Sequence, residues 1–228
     1  MSTITKDNFL SEITKINCFN IKAVHNSKYE KNSFYSLISR YDPKLIEKCY
    51  KSGLKYINSR IVLKYDQTLK NNDKKPIDYD FVIDEKYNKI NLKSDINEII
   101  PNLYKTSRFY KDIFFRKYAK KIYDKWFYNS IFNHYADKVL FAKTDKNKII
   151  GFITLKLIGG KCLIDLIAVN PKYQNKGVGT LLISKAIKSF SDYEITVGTE
   201  AENIKAVNFY LKNSFKIVDY YLIFHRHN

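Results

Sequence analysis

Two glycines one residue apart, Gly177 and Gly179, stand where an apolar run gives way to a segment of helical periodicity. The apolar run is Leu163 to Val169, and a polar stretch from Asn170 to Lys176 links it to the glycines. Val178, Leu181, Leu182 and Ala186 then recur at the spacing of one buried helix face. The order is strand, turn, helix. The first turn of such a helix carries N–H groups without intrahelical partners and the positive end of the dipole. Residues without side chains let an anion close on those donors, so residues 174–180 predict a phosphate or pyrophosphate site. The third glycine of a dinucleotide fingerprint and the Gly-Lys-Ser/Thr of a P-loop are both absent. A tight strand-to-helix turn with no ligand would use the same residues.

The wider pattern is more specific. Val169-x-Pro171-x-x-Gln174-x-x-Gly177-x-Gly179 resembles the Q-x-x-G-x-G acetyl-coenzyme A signature of the GNAT superfamily. Asn203-Ile204-Lys205-Ala206-Val207-Asn208-Phe209-Tyr210-Leu211-Lys212-Asn213-Ser214-Phe215 is similar to that superfamily's second motif, with Ser214 where glycine is usual. The resemblance covers about residues 78–228. It implies acetyl-coenzyme A or another short acyl-coenzyme A as cosubstrate, no metal, and an N-acyltransferase activity. It implies a coenzyme site at Ile167, Ala168, Val169, Gln174, Asn175, Lys176, Gly177, Val178, Gly179, Thr180 and Asn203. Strand 163–169 would splay from strand 194–199, and pantetheine would pair with the backbone at Ile167 and Val169. A backbone donor at a bulge would steady the oxyanion.

The same resemblance makes Tyr210 the candidate general acid. Asn203 and Tyr210 lie seven residues apart, about two helical turns or ~10 Å, on one face. An ordinary phenol (pKa ~10) is a weaker acid than a thiol (~8.5), so Tyr210 needs a lowered pKa or acts by hydrogen bonding. Core packing beside Phe209 is the alternative, and an ordinary N-cap is the alternative for Asn203. Asp165, a charge in an apolar strand, is expected to be paired or to face solvent at the splay; the other reading is a water-linked base. His134, His225 and His227 read as surface residues.

A narrower resemblance concerns the acceptor. Ser107-Arg108-Phe109-Tyr110-x-Asp112, Tyr123-x-x-Trp126-x-x-Asn129-Ser130 and Thr199-Glu200-x-x-Asn203 look like the sugar-nucleotide branch that includes dTDP-fucosamine acetyltransferase. The implied acceptor is the amine of a nucleotide-linked dideoxy-amino sugar used in surface polysaccharide synthesis. Arg108 would pair with its diphosphate, and Phe109 and Trp126 would stack on base or sugar. A protein N-terminal or lysine amine is the alternative acceptor. A non-catalytic acyl-coenzyme A-binding module is a further alternative.

The elements that must position these residues follow from periodicity and punctuation. Expected are a strand at Phe34–Ser39, a helix from Asp42-Pro43 to about Lys51 ended by Gly53, and a strand at Tyr56–Tyr65. Asn71 to Pro76 is the best boundary, dividing an acceptor-side α/β domain (1–75) from a catalytic domain (76–228). Beyond it come a strand at Tyr79–Ile83, a helix capped by Ser94-Asp95 that stops near Pro101, and an aromatic helix from Phe114 to Phe132. Strands at Val139–Ala142, Ile149–Leu157 and Leu163–Val169 form a meander. A helix at 179–190, a strand at 194–199, a helix at 203–212 and a strand at 216–224 complete the chain. The fold class is α/β of the α+β type: a GNAT fold, with a mixed, mostly antiparallel central sheet flanked by helices and a smaller N-terminal α/β domain.

Composition sets the limits. The chain has 228 residues, with 40 Lys and Arg against 23 Asp and Glu, for a net charge of +17. The lysines are dispersed, with no aromatic-interleaved stripe or reading helix, which argues against a nucleic-acid module. A solvated surface or a field that captures a small anion fits better. Cys18, Cys49 and Cys162 have no paired spacing, against a disulfide framework or zinc site. The first residues lack a signal-peptide pattern and no apolar run spans a bilayer, so a cytoplasmic protein with no membrane partner is expected. A homodimer is compatible with the sequence.

Overall fold

A computed structural model describes residues 4–24, 29–69, 81–85 and 89–228. The first part of the chain forms β1 (Ile4–Lys6), α1 (Asn8–Thr14), β2 (Asn17–Ile21), β3 (Ser33–Ser39), α2 (Pro43–Lys51) and β4 (Lys55–Tyr65). Next come β5 (Phe81–Asp84), α3 (Lys89–Ile99), two single-turn helices α4 (Pro101–Tyr104) and α5 (Arg108–Lys111), and α6 (Ala119–Phe132). The last part is β6 (Lys138–Thr144), β7 (Ile149–Ile158), β8 (Lys161–Val169), α7 (Val178–Ser189), β9 (Glu194–Glu200), α8 (Ile204–Lys212) and β10 (Phe215–His227).

Among the described residues ten strands join one sheet in the order β1-β2-β3-β10-β4-β9-β8-β7-β6-β5. Its pairings are antiparallel except β2 with β3 and β8 with β9. The expected mixed, mostly antiparallel sheet flanked by helices is therefore what forms. The seven strands expected from β3 to β10 that lie among the described residues occur within a few residues of their expected ends. The strand expected from Tyr79 begins, among those residues, at Phe81.

The sheet runs across the expected two-domain division. The expected boundary at 71–76 lies outside the described residues, but the sheet is continuous across it. β4 is hydrogen-bonded between β10 and β9, and β3 lies on the other side of β10. Ile61 and Leu63 of β4 share a core with Leu182, Val197, Tyr210 and Phe215. Residues 1–75 thus supply a central strand rather than a separately closed layer.

Each sheet face has its own helices. Helices α7 and α8 cover one face, burying Val178, Leu182, Ile183, Ala186 and Tyr210 against Ile150, Ile153, Ile164 and Val197. Helices α3 and α6 cover the other through Leu92, Ile96, Ile99 and Phe127 against Phe141, Phe152, Leu166 and Ala168. Strand β7 is buried on both faces from Ile149 to Leu155, which its near-continuous apolar run anticipates.

Local signals decide several ends. The Asp42 carboxylate accepts from the Lys44 and Leu45 N–H groups at the start of α2, and Gly53 takes a positive φ of 73° after it. One expected cap is wrong: α3 starts at Lys89, so Ser94 and Asp95 fall inside it. The buried Asp95 carboxylate instead accepts from the Ile149 N–H at 2.9 Å, tying α3 to the start of β7. Helix α3 ends at Ile99, near Pro101 as expected, and Pro101 opens the separate helix α4 as its first residue.

Candidate active site

The central feature is a parting between β8 and β9. Their parallel pairing runs from Lys161–Glu194 to Ile164–Val197 and stops there. At that point β8 bulges: Leu155 faces Ile164 and Thr154 faces Leu166, leaving Asp165 as the extra residue. The bulge reverses the strand's faces. Ile164 belongs to the core under α7, whereas Leu166 and Ala168 belong to the core under α6. The Asn170 N–H donates to the Ile150 carbonyl at 2.8 Å, so Asn170 and Ala168 are the residues bonded to β7. By antiparallel alternation Ile167 and Val169 direct their N–H and C=O groups away from β7, into the gap. The expected splay and the two backbone positions expected along it are both present.

A cleft of about 910 Å³ fills this gap. The sequence-derived residues Ile167, Ala168, Val169, Gln174, Asn175, Gly177, Val178, Gly179, Thr180, Asn203, Tyr210, Arg108, Phe109 and Trp126 all line it. Lys176 is not among the lining residues; its ammonium lies 5.4 Å from the Tyr173 ring centroid.

The turn into α7 is held from several sides. Asn170 is buried, accepts from the Lys172 N–H at 3.0 Å and donates to the Glu98 carboxylate at 2.8 Å. Gln174 donates through Nε2 to the Val169 carbonyl at 3.1 Å. Asn175 and Gly177 adopt φ values of 61° and 83°, and α7 starts without a side-chain cap. Successive backbone N–H groups in such a turn form an anion-binding concavity. Gly177 is thus required by conformation. Gly179 has a different reason: a methyl group there would sit 3.0 Å from Phe209 Cε2 and Cζ. Its missing side chain lets α7 pack on α8, which accounts for the glycine without invoking clearance for a pyrophosphate.

Tyr210 is buried, tilted against Phe209 and Phe215. Burial pushes its phenol well above the ordinary 10, with no hydrogen bond opposing the shift. The lowered pKa that a full proton donor would need is therefore absent. Asn203 caps α8, accepting from the Ala206 N–H at 3.3 Å, and donates through Nδ2 to Thr106 Oγ1 at 3.3 Å. Ser214 keeps the turn of the missing glycine by taking φ 65° itself.

The proposed acceptor residues are engaged within the protein. Phe109 is buried against Phe115, and the Arg108 guanidinium lies 4.6 Å from its ring centroid. Trp126 donates through Nε1 to Asp165 Oδ2 at 2.7 Å and tilts against Tyr123. The buried Phe109 ring does not offer the free stacking face expected of it, whereas the half-buried Trp126 still lines the cleft. Asp165 is paired, as one sequence reading held, and burial raises its carboxyl above the ordinary range against the Trp126 hydrogen bond.

Sequence reasoning missed two groups. Arg60 of β4 lines the cleft, which only the sheet order reveals. His225 and His227 are not both surface residues: His225 is buried, and its Nδ1 and the His227 Nε2 both reach Asp112 Oδ2, at 2.7 and 2.8 Å. The other Asp112 oxygen accepts from the Phe114 N–H at 2.9 Å. This cluster fastens the end of α5, which carries Arg108, to β10. The i, i+2 histidine spacing on one strand face was its only visible signal.

Comparison with known proteins agrees with this geometry. Residues 103–215 match the family model described as Acetyltransferase (GNAT) family. The chain carries a GNAT-family acetyltransferase domain. It is similar to the spore coat polysaccharide biosynthesis protein SpsD of Bacillus subtilis, 25% identical over 134 residues, or 57% of this chain and 46% of that protein. The chain therefore matches under half the length of that relative. Among solved structures, a conserved protein of unknown function from Staphylococcus epidermidis has a TM-score of 0.62 at 13% identity, over 93% of this chain and 85% of that one. A GCN5-related N-acetyltransferase from Sphaerobacter thermophilus has a TM-score of 0.57 at 11% identity, over 88% and 61%. The fold likeness extends well beyond residues 103–215, into the strands that precede them. Among the described residues no helix is long and apolar enough to cross a membrane.

Proposed function

We propose that this protein transfers an acetyl or other short acyl group from coenzyme A to the amine of a nucleotide-linked dideoxy-amino sugar. The parting of β8 from β9 beside the uncapped start of α7 carries the donor half of this reading. The backbone donors of 174–180 suit the coenzyme pyrophosphate, and the strand edge at Ile167 and Val169 suits pantetheine. When bound, acyl-coenzyme A supplies the thioester that the acceptor amine attacks.

The chain's own groups have defined tasks. The Tyr210 hydroxyl holds its proton and donates a hydrogen bond as negative charge develops on the leaving sulfur. Asp165, at the bulge with a raised pKa, is placed to receive the ammonium proton directly or through water. Arg108 and Arg60 favour an anionic acceptor. The similarity to a protein of spore coat polysaccharide biosynthesis supports a sugar acceptor.

The test is coenzyme release from acetyl and longer acyl donors over a panel of nucleotide-linked amino sugars and of peptides. Turnover with a sugar nucleotide is expected. Turnover with peptide amines alone would remove the sugar assignment and leave the acyltransfer assignment standing.

A further inference from the structure

The chain is rich in lysine and poor in arginine, with only five arginines: 40, 60, 108, 116 and 226. Three of these have clear partners. Arg40 pairs with Asp219, Arg116 donates to the Tyr110 carbonyl, and Arg226 donates to the Ser52 carbonyl. The other two line one cleft. Arg60 comes from β4 and Arg108 from α5, so the chain brings them together only by threading β4 into the middle of the sheet.

Neither guanidinium has a carboxylate within salt-bridge distance among the described residues. Glu200 lines the same cleft, but its Oε1 accepts from the backbone N–H of Arg108 at 3.3 Å. Its Oε2 and the Arg108 Nε are buried without partners. Burial depresses the Arg108 pKa, Glu200 opposes this, and Arg60 adds to it by like-charge repulsion. Glu200 and Asp165 also line the cleft, but neither carboxylate pairs with either guanidinium, so the two forks stay open to an incoming anion.

The recess is also built around Arg60. A methyl group on Gly198 of β9 would overlap the Arg60 Nη2, Nε and Cζ atoms. The guanidinium therefore lies flat over the backbone of Gly198, in space that any other residue would fill. Gly198 does not hold a positive φ, so its lack of a side chain serves this contact.

We propose that Arg60 and Arg108 together form an oxyanion clamp for the acceptor, binding a phosphoryl or carboxylate group that the amine-bearing substrate carries. The guanidinium fork suits such groups better than the lysine this chain uses elsewhere. The clamp is separate from the backbone site at α7, which serves the coenzyme. It rests on the reading of the cleft as an acyl-transfer site, and it makes residues 55–65 part of acceptor recognition.

The experiment uses the full chain saturated with coenzyme A, so that the α7 turn is filled. Thymidine diphosphate, inorganic pyrophosphate and succinate are titrated against wild type, Arg60→Ala, Arg60→Lys and Gly198→Ala. At least one anion is expected to bind, with its Kd raised about tenfold or more in Arg60→Ala, the scale of a lost charge-assisted contact. Gly198→Ala keeps every charge and should weaken the same anion by displacing Arg60. Arg60→Lys should recover only part of the loss. Coenzyme affinity, measured separately, should stay within about twofold in all variants, because no phosphate contact of its own is removed.

Equal anion affinity in wild type and Arg60→Ala, or a loss confined to coenzyme binding, would overturn the clamp. So would a wild type indifferent to all three anions. If Arg60-dependent binding is found but no amino-sugar nucleotide is acylated, the clamp stands and the sugar-nucleotide assignment falls.

Discussion

Tyr210→Phe removes one oxygen from a buried ring and tests the chemistry directly. Among the described residues the hydroxyl has no hydrogen-bond partner, so the substitution should leave stability unchanged. An ordinary phenol giving its proton to an ordinary thiolate runs uphill by about 2 kcal/mol. Burial raises the Tyr210 pKa further, so complete transfer is less favourable still. What remains is a hydrogen bond to a developing negative charge, worth about 1.5–3 kcal/mol, or roughly 10- to 100-fold in kcat. Steady-state kinetics with the acetyl donor should therefore show a kcat loss in that range with little change in either KM. The kcat profile should show no alkaline limb from Tyr210 near pH 10, since the raised pKa keeps it protonated there. An unchanged kcat would mean that solvent protonates the thiolate and that the ring only packs. A limb near pH 9–10 that vanishes in the variant would refute the raised pKa.

Three further outcomes follow from named contacts. Ser214→Gly relieves a left-handed residue and gives up only an exposed hydrogen bond to the Leu69 carbonyl, so Tm should rise by a few degrees, for a gain of about 1 kcal/mol; a fall would show that the hydroxyl contact dominates. Gly179→Ala should cost about 1–3 kcal/mol by urea unfolding, because the methyl meets the Phe209 ring; wild-type stability with lost coenzyme affinity would restore the phosphate-clearance reading. His225 is held neutral by burial, its pKa about 4 against an ordinary 6.5. The unfolded chain takes up that proton near pH 6.5 and the folded chain only near 4, so the contribution is complete above pH 6.5 and lost as pH falls toward 4. The total is about 3 kcal/mol, and a urea midpoint that does not fall between pH 7 and 5 would contradict it.

The C-terminal half was legible because its signals are local. Gly177 needs a positive φ, Val178, Leu182 and Ala186 repeat on one helix face, and β7 reads as a doubly buried strand. What was not legible depends on pairings between distant segments. Polar residues Asn58, Ser59 and Arg60 interrupt β4 and mark no face by themselves; they make sense only once β4 is seen between β10 and β9. Asp112 and His225 stand 113 positions apart, and neither residue's neighbours hint at the other. Asp95 looked like a cap because caps are local, whereas its partner at Ile149 is not. Phe109 and Trp126 were found as cleft residues, but Phe115, which packs on the Phe109 ring, and Asp165, which takes the Trp126 indole N–H, lie outside their helices.

Sheet continuity also decides what a truncation can do. Removing residues 1–75 takes away β4, which pairs along β10 from Phe215 to His225 and along β9 from Thr196 to Glu200. Both neighbours would expose unpaired N–H and C=O groups, and Ile61 and Leu63 would leave the core that holds Tyr210 and Phe215. Deleting two buried aliphatic side chains costs several kcal/mol by itself, on the order of 2–5 each, which consumes most of a domain's roughly 5–15 kcal/mol of stability. A fragment starting at Pro76 should therefore aggregate or remain unfolded, and should bind no coenzyme. Circular dichroism and coenzyme titration on that fragment check this. A monomer that unfolds cooperatively and binds coenzyme with full-length affinity would show that β4 is dispensable to the donor site, and residues 1–75 would then be the separable acceptor domain that the sequence first suggested.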